Sequence, residues 1–253
     1  MPAERASQRP PPPPPADDWA LFLDVDGCLL DLAHAPDAVV IPTGLPAVLA
    51  ALDHRLHGAI ALVSGRALAN VERLFDTLNV PMAGLHGLER RSTVGTQPAP
   101  EPPPAWDGVR EDAQRVIADH PGALFEDKGA ALALHWRNAP HAADELQAFA
   151  AATLPRLPGY RLQHGHHVVE LRPDAGDKGS AITALLEEPP FKARVPVFAG
   201  DDITDEAGFA VVNARGGLSV LVGDRETSCA HYALPDPAAV RRWLAGANDQ
   251  EQR

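Results

Sequence analysis

The chain has few cysteines, no long apolar run and a deficit of basic charge, and each shortage excludes a class of protein. Two cysteines, Cys28 and Cys229, are too few for a disulfide framework, so we expect a reducing, cytoplasmic compartment. No run of about eighteen apolar residues is present, so we expect no membrane span. Acidic residues number 34 against 22 lysines and arginines, and the formal net charge of -12 argues against nucleic acid or an anionic membrane as a partner.

The composition is that of an ordinary globular protein. The chain has 253 residues, of which 45% are hydrophobic and 22% are charged, enough for one large domain or two small ones. We expect a monomer. Residues 1–18 include an unbroken row of prolines, Pro10 to Pro15, and no apolar segment of the signal-peptide type. We predict a disordered, partly polyproline tail here, with docking to an aromatic groove as the alternative.

Strand-like and helix-like segments alternate at both ends of the chain. The runs at 21–24, 59–63 and 195–199 are continuously apolar, which indicates strands buried on both faces. The segment 67–78 places apolar residues at helical spacing after one of these strands. This order predicts an α/β fold whose core is a doubly wound parallel sheet (Rossmann-like), formed by residues 19–87 and 174–253.

The middle of the chain follows a different pattern. Polar and apolar residues alternate through 124–137 and 166–172, as in strands with one solvated face, and helix-like segments flank them. We therefore predict a smaller α+β domain at residues 88–173, inserted into the core as a cap that determines substrate specificity.

Polar motifs stand at the ends of the predicted core strands and before one predicted helix. They are Asp24-Val-Asp26-Gly27, Ser64-Gly65-Arg66, Asp177-Lys178-Gly179-Ser180 and Gly200-Asp201-Asp202-Ile-Thr-Asp205-Glu206. Ligands of open parallel sheets bind beyond the carboxyl ends of the strands. We therefore expect the aspartates to converge at one edge, with Ser64 and Lys178 beside them.

Converging carboxylates raise one another's pKa unless a cation lies between them. Hard oxygen ligands of this kind suit Mg²⁺, so the motifs predict a magnesium site. Each motif alone has a simpler explanation: a turn or part of a calcium loop for Asp-x-Asp-Gly, and helix caps for Ser-Gly and for the acidic cluster. Their shared position after strands favours one common site.

Together the motifs resemble those of the haloacid dehalogenase-like superfamily of phosphotransferases. The resemblance implies that Asp24 is a nucleophile that forms an aspartyl-phosphate, and that Asp26 is the general acid and base. Ser64 and Lys178 would hold the phosphoryl oxygens. The implied metal ligands are Asp24, Asp201 and the main-chain carbonyl of Asp26, with Asp202 and Asp205 acting through water. Cys28 stands where the superfamily usually has Thr, and its thiol is a weaker hydrogen-bonding group.

Further segments are similar to the trehalose-6-phosphate phosphatases. They are Glu126-Asp-Lys128, Ala-Leu-His135-Trp-Arg137, Val-Val-Glu170-Leu-Arg-Pro and Ala-Gly-Leu-His86-Gly-Leu-Glu-Arg90-Arg. The similarity implies a sugar-phosphate substrate whose distal glucose hydroxyls bind Glu126, Lys128 and Glu170, with His86 and Arg90 lining the entrance. Other candidates for substrate binding are Gly65, Arg66, His135 and Arg137. The alternatives are a solvated sheet face, a phosphatase for another sugar phosphate such as sucrose 6-phosphate, and a catalytically silent sensor.

Overall fold

The computed structural model of the chain describes residues 9–33, 38–165 and 167–246. The start of the predicted tail (1–8), His166 and the end of the predicted core segment (247–253) lie outside the described residues. In the part that is described, no helix combines the length and apolar character that a bilayer crossing needs.

The described chain contains strands and helices in the order that the pattern predicts for an α/β protein. The elements are β1 (Trp19–Leu23), α1 (Leu45–Arg55), β2 (Ile60–Val63), α2 (Leu68–Leu74), β3 (Met82–Gly84), β4 (Glu89–Ser92), β5 (Gly95–Gln97), α3 (Trp106–Ala118), β6 (Leu124–Asp127), β7 (Leu132–His135), α4 (Ala143–Thr153), β8 (Tyr160–Gly165), β9 (Val168–Pro173), α5 (Lys178–Leu186), β10 (Val195–Gly200), α6 (Glu206–Ala214), β11 (Leu218–Val222), β12 (Tyr232–Leu234) and α7 (Pro237–Leu244). Short 3₁₀ turns lie at Leu85–Gly87, Pro140–Ala142, Leu154–Arg156 and Ile203–Asp205.

The chain divides into two compact units. The core unit contains the described residues up to Gln97 and from Asp177 onward, and the cap unit is Pro98–Gly176. The insertion therefore begins later than the predicted residue 88 and ends later than residue 173. The later start has a physical reason in the hairpin of β4 and β5, because β4 pairs antiparallel with β3 and so extends the core sheet.

The core unit is built on one sheet, in which the described strands follow the order β12-β11-β10-β1-β2-β3-β4-β5. Neighbours from β12 to β3 run parallel. Every residue of β1 and β2 is buried, which requires cover on both faces of the sheet. Helix α1 packs beside α7, and α5 packs beside α6. The predicted α/β class with a parallel core sheet is confirmed.

The proline-rich segment is not a disordered tail where it is described. Pro12 and Pro15 are buried. The Pro10 carbonyl accepts a hydrogen bond from the Ala233 amide at 3.1 Å. The Pro13 carbonyl accepts one from the Trp243 indole at 2.7 Å. A polyproline segment leaves its carbonyls free for such bonds, so this segment is held against the core unit by hydrogen bonds to its carbonyls.

The cap unit is a four-stranded antiparallel sheet in the order β6-β7-β9-β8, with α3 and α4. Apolar residues of β7 and β9 pack with both helices in a hydrophobic core of their own. The alternate residues, including Ala133 and Glu170, share the other face because side chains alternate along a strand. The alternation in the sequence therefore marks this sheet correctly.

Candidate active site

The topology of the core sheet creates a ligand site at the end of β1. From β1 the chain moves outward through β2 to β3, and later from β10 outward through β11 to β12 on the opposite side. Strands β1 and β10 flank this change of direction, where ligands bind in open α/β sheets. Asp24 follows β1 and Asp201 follows β10, so both carboxylates stand at that position.

Lys178 reaches this position from the first residue of α5. A reciprocal capping box fixes the start of the helix: the Asp177 carboxylate accepts from the Ser180 amide, and the Ser180 hydroxyl accepts from the Asp177 amide. Lys178 Nζ lies 2.6 Å from both Asp24 Oδ1 and Asp205 Oδ1. All three residues are buried. Two carboxylates therefore share one fixed ammonium group.

Three carboxylates, two of them buried and one half-buried, can hold a metal ion. Asp24, Asp201 and Asp205 each offer an oxygen within 4.8 Å of the others. Asp201 Oδ1 is buried and receives no hydrogen bond from the described residues, so it is an acceptor in need of a partner. The trio consists of hard oxygen donors, as a divalent cation of the Mg²⁺ type requires. The residues present therefore fit a metal ion.

The electrostatics of the trio support the same conclusion. Burial, and then the charge of Asp205, raises the pKa of Asp201 to about 7. The pKa of Asp24 is likewise raised by burial, against the opposing effect of Lys178. Burial alone would lower the pKa of Lys178, but Asp205 and Asp24 raise it well above its usual value. The ammonium stays charged, and the carboxylates need further positive charge to ionise fully.

Gly27 permits the close approach of Asp201. Its φ of +81° lies in the left-handed region, and a Cβ at this position would stand 2.1 Å from Asp201 Oδ2. The glycine of the Asp-x-Asp-Gly motif is therefore a steric requirement of the carboxylate cluster.

Asp26 lies outside the carboxylate trio and forms a bidentate ion pair. Its two oxygens accept from Arg66 Nε at 2.6 Å and from Arg66 Nη2 at 2.7 Å. Arg66 is one of the predicted substrate contacts, and the structure pairs it with the predicted general acid. The sequence did not reveal this pair because spacing does not fix the direction of either side chain.

Asp202 and Asp205 have structural roles in the turn after β10. The Asp202 carboxylate is exposed and caps the turn by accepting from the Ile203 amide at 2.7 Å. Asp202 thus lies outside the trio. Asp205 Oδ2 accepts from the Asp202 amide at 2.9 Å while its other oxygen binds Lys178. Asp205 therefore connects the turn to Lys178.

Ser64, Gly65 and His86 lie together beyond β2 and β3. Ser64 is buried, its hydroxyl accepts from the Arg66 amide at 3.1 Å, and its carbonyl accepts from the His86 amide at 2.9 Å. A Cβ on Gly65 would stand 2.5 Å from the His86 ring. The structure thus brings these three predicted residues into one cluster of side and main chains.

Arg90 lies on β4 in the core unit, not in the predicted cap. Its guanidinium pairs with Glu188 Oε1 at 3.0 Å. Both side chains are half-buried. The ion pair ties the hairpin to the segment that follows α5.

Cys28 is a buried, neutral thiol. Burial, and then the charge of Asp24, raises its pKa well above the usual value. Because the thiolate is the reactive form, Cys28 cannot serve as a nucleophile here.

A second cluster of charged residues lies on the cap sheet. Glu126 and Glu170 both pair in register with Ala133, so the two acids flank a small residue on one face. Lys128 Nζ lies 3.3 Å from Glu170 and 4.0 Å from Glu126. His135 Nε2 lies 2.9 Å from Glu126 Oε2. Burial raises the pKa of the Glu126 carboxyl, but His135 and Lys128 lower it more, so the net shift is downward.

Arg137 lies outside this cluster, and Arg172 lies on the same face of the sheet as the cluster. Arg137 is exposed and lies beyond the end of β7. Arg172 is 1% exposed and donates to Gln163 Oε1 and to the Gly176 carbonyl, both at 2.9 Å. It stands two residues after Glu170 on β9, hence on the same face, and that parity is the sequence signal that could have revealed it.

Comparisons with known proteins show the family to which the chain is similar. The sequence profile of the trehalose-phosphatase family matches residues 22–238. A probable trehalose-phosphate phosphatase of Sinorhizobium fredii is 45% identical over 231 residues, covering 90% of this chain and 87% of that protein. The trehalose-6-phosphate phosphatase of Escherichia coli is 41% identical over 227 residues, covering 89% of this chain and 85% of that protein.

Solved structures share the fold. The C-terminal domain of the trehalose-6-phosphate phosphatase of C. albicans superposes with a TM-score of 0.77 at 21% identity, covering 92% of this chain and 93% of that one. A trehalose-6-phosphate phosphatase related protein superposes with a TM-score of 0.72 at 26% identity, covering 88% and 94%.

A parallel sheet whose switch point holds paired aspartates and a buried lysine defines a phosphatase of the haloacid dehalogenase-like class. The resemblance found in the sequence is thereby confirmed at the level of the class. The profile match spans most of the chain, and the chain belongs to the trehalose-phosphatase family.

Proposed function

We propose that the chain hydrolyses trehalose 6-phosphate to trehalose and inorganic phosphate, the last step of trehalose biosynthesis. The observation that carries the proposal is the buried contact of Lys178 Nζ with Asp24 Oδ1 at 2.6 Å, beside the other two carboxylates. A carboxylate held next to a fixed ammonium can attack phosphorus while the ammonium stabilises the phosphoryl oxygens. The names of the relatives at 45% and 41% identity support the choice of substrate.

In the first half of the proposed reaction, an Asp24 oxygen attacks the phosphorus and forms an aspartyl-phosphate. The bond from phosphorus to the sugar oxygen breaks, and Asp26 gives its proton to the leaving alkoxide. Lys178 and Ser64 hold the transferring phosphoryl group. Both Asp26 oxygens accept from Arg66 in the structure, so one of them leaves the guanidinium before Asp26 carries this proton.

In the second half, Asp26 takes a proton from water, and the water oxygen attacks the phosphorus. The acyl-phosphate bond breaks, which regenerates the Asp24 carboxylate and releases phosphate. Splitting the hydrolysis into two displacements lets one positioned carboxyl group act first as acid and then as base.

The proposed cofactor is Mg²⁺, held by Asp24, Asp201 and the main-chain carbonyl of Asp26, with Asp202 and Asp205 through water. When bound, Mg²⁺ neutralises the carboxylates and stabilises charge on the phosphoryl oxygens. The buried, unsatisfied oxygen of Asp201 supports the choice of a cation ligand at this position.

The cap cluster is proposed to bind the sugar. Glu126 and Glu170 would accept hydrogen bonds from hydroxyls of the distal glucose, and Lys128 would donate one. Sugar hydroxyls both donate and accept hydrogen bonds. They can therefore donate to the two carboxylates and accept from the ammonium group between them. His86 and Arg90 are proposed to line the entrance, with Gly65, Arg66, His135 and Arg137 as further substrate contacts.

The test is release of phosphate from a panel of sugar phosphates by the purified full chain, with Mg²⁺ and with chelator. We expect trehalose 6-phosphate to have the highest kcat/KM and chelator to abolish turnover. A preference for sucrose 6-phosphate would identify another substrate, and tight binding without turnover would identify a sensor. Full turnover in chelator would refute the metal site.

The covalent step is tested by acid quench with substrate labelled at phosphorus. The wild-type chain should retain the label and Asp24→Asn should not, because an amide cannot form the acyl-phosphate. The matched control is Asp31→Asn, since the Asp31 side chain is 69% exposed and should leave both turnover and labelling unchanged. Label retained by Asp24→Asn would refute the assigned nucleophile.

We further propose that the chain acts as a monomer in the cytoplasm. Its cysteines, Cys28 and Cys229, are both free, which fits a reducing compartment. Light scattering during size-exclusion chromatography gives the mass in solution, and twice the mass of the chain would refute the monomer.

A further inference from the structure

A segment near the N-terminus binds a loop that lies more than 200 residues later in the sequence. We call residues 9–15 the strap and residues 225–230 the clamp loop, which has no helix or strand. The Arg9 guanidinium donates to four carbonyls of the clamp loop: Ala230 at 2.8 Å, Ser228 at 2.8 Å, Glu226 at 3.2 Å and Arg225 at 3.3 Å. One side chain thereby binds carbonyls from the first residue of the loop to the last.

The strap is itself anchored independently of Arg9. Trp243 donates its indole N–H to the Pro13 carbonyl, and Arg55 donates to the Pro15 carbonyl at 2.7 Å. Pro12 and Pro15 are buried. Because the proline ring already restricts the backbone, ordering the strap costs little conformational entropy. The anchored strap therefore holds Arg9 near the clamp loop at a low entropic cost.

The clamp loop in turn contacts the turn that carries the metal-binding aspartates. Arg225 donates to the Asp202 carbonyl at 3.2 Å and forms an ion pair with Glu206 at 2.7 Å. The Cys229 amide donates to Glu206 Oε2 at 2.9 Å. Residues 202 and 206 bracket Asp205, whose carboxylate binds Lys178 and the Asp202 amide.

We propose that Arg9 is a positioning residue for the metal-binding turn. It acts through the clamp loop, which holds Asp202 and Glu206 and thereby sets Asp201 and Asp205 for Mg²⁺. This inference rests on the proposed metal-dependent function and adds a remote residue to it. The strap is therefore part of the construction of the active site and not an appendage.

The charge and hydrogen-bonding pattern favour Arg over any substitute at position 9. Guanidinium offers five N–H donors in a rigid, planar fork, and here it meets four carbonyl acceptors. A lysine retains the charge but offers three donors from one atom, so it cannot span carbonyls from residue 225 to residue 230. Arg9→Lys should consequently behave like Arg9→Ala and not like the wild type.

The experiment compares the full-length wild type, Arg9→Ala, Arg9→Lys and Arg55→Ala. Arg55→Ala is the matched control, because among the described residues Arg55 bonds to Pro15 of the strap and to the nearby Asp17, and to no residue of the clamp loop. Mg²⁺ binding is measured by titration calorimetry without substrate. Amide hydrogen exchange of peptides covering 201–206 and 225–230 is measured in chelator.

Loss of a residue that orients a metal ligand costs roughly 10–100-fold in affinity, and Arg9 acts one contact further out. We therefore expect Mg²⁺ to bind about three- to tenfold more weakly to both Arg9 variants, with faster exchange in both peptides. Arg55→Ala should bind Mg²⁺ within about twofold of the wild type.

Each other outcome overturns the proposal. Unchanged Mg²⁺ binding in the Arg9 variants would mean that the strap only stabilises the fold, even if the clamp loop exchanges faster. Equal losses in Arg9→Ala and Arg55→Ala would mean general destabilisation. A wild type that binds no Mg²⁺ would refute the metal site itself, whereas a wild type that binds it and an Arg9→Ala that binds equally well would refute this inference alone.

Discussion

Asp26 and Arg66 form a contact that constrains how the proposed acid can act. Both carboxylate oxygens accept from the guanidinium, so an oxygen must leave Arg66 before it can carry a proton to the leaving group. Two parallel hydrogen bonds also fix the carboxylate in one orientation. The pair thus positions Asp26 apart from the trio of Asp24, Asp201 and Asp205.

Asp26→Asn should reduce turnover of a sugar phosphate far more than turnover of an activated aryl phosphate. A sugar alkoxide needs a proton as it leaves, and a positioned acid contributes about 10²–10⁴-fold, whereas an aryl oxide leaves without one. The measurement is kcat on both substrates, with Asp31→Asn as the control. Equal losses on the two substrates would show that Asp26 is not the acid.

Cys28→Thr should leave kcat on trehalose 6-phosphate equal or raise it. The thiol is buried, and its raised pKa keeps it neutral, so it contributes no charge and no nucleophile. A hydroxyl is a stronger hydrogen-bonding group of similar size. Steady-state kinetics decide the matter, and a collapse of kcat with an intact fold would assign Cys28 a direct role.

The metal-free chain should become less stable as the pH rises from about 4 to about 7. An unfolded Asp has a pKa of about 3.9, while that of folded Asp201 is raised to about 7. Between these values the folded chain holds a proton that the unfolded chain has released, so rising pH favours unfolding. The free energy of unfolding should fall by about 1.4 kcal/mol per pH unit for one such proton, and the raised pKa of Asp24 acts in the same direction.

Urea titrations in chelator between about pH 5 and pH 8 measure this slope. Asp201→Asn should flatten it, since an amide does not titrate. Saturating Mg²⁺ should also flatten it in the wild type, because the metal binds the ionised carboxylates. A wild-type slope that Asp201→Asn leaves unchanged would place the titrating group elsewhere.

Among the elements, those with a strong apolar pattern could be predicted from the sequence. Strands β1, β2 and β10 are continuous apolar runs because they are buried in the centre of the sheet. The hairpin of β4 and β5 could not be predicted, because its residues are half-buried or exposed and carry no apolar period. Main-chain pairing with β3 holds it, and residue type does not encode such pairing.

The strap shows the same limit in another form. Its prolines make no main-chain hydrogen bonds with one another, so the local sequence pattern predicts disorder. The strap is ordered because it bonds to residues that are distant in the sequence, such as Ala233 and Trp243. The positions of Asp24 and Lys178 could be predicted from the sequence, because Asp24 directly follows a strand and Lys178 begins a helix. The pairs Asp26–Arg66 and Arg90–Glu188 depend on side-chain directions and tertiary neighbours, which spacing does not specify.

The cap sheet permits a test of the proposed sugar site at the level of one element. Lys128→Ala and Glu170→Ala each remove a charged contact on the face opposite the cap core. Such a hydrogen bond contributes roughly 1.5–3 kcal/mol, so kcat/KM on trehalose 6-phosphate should fall about ten- to a hundredfold. Part of that loss should lie in kcat, because remote binding energy positions the reacting phosphate.

The readout is the ratio of kcat/KM for trehalose 6-phosphate to that for a small aryl phosphate, which has no sugar hydroxyls. Arg115→Ala is the control, since Arg115 lies on α3 in the same unit with its side chain 76% exposed. The ratio should drop in both cluster variants and stay constant in the control. A constant ratio in all three would identify the cluster as a solvated face.

The whole molecule consists of two units that each have a hydrophobic core. One core surrounds the parallel sheet, and the other lies between the cap sheet and its two helices. Asp24, Asp201 and Asp205, with Lys178, all belong to the core unit. A metal ion bound to these residues should therefore stabilise the core unit directly. Amide exchange, measured segment by segment, shows which strands are stabilised.

Mg²⁺ should slow amide exchange in β1 and β10 and leave exchange in β6 to β9 unchanged. A ligand at 100 times its Kd stabilises the state that binds it by about 2.7 kcal/mol. The amides that gain this protection are those that exchange only through an unfolding event that disrupts the metal site. Hydrogen-exchange mass spectrometry with Mg²⁺ and with chelator measures both units in one sample. Asp201→Asn should lose the protection of β1 and β10, which separates site binding from a general effect of salt. Equal protection of the cap strands would contradict this prediction, because it would show that the two units unfold as one.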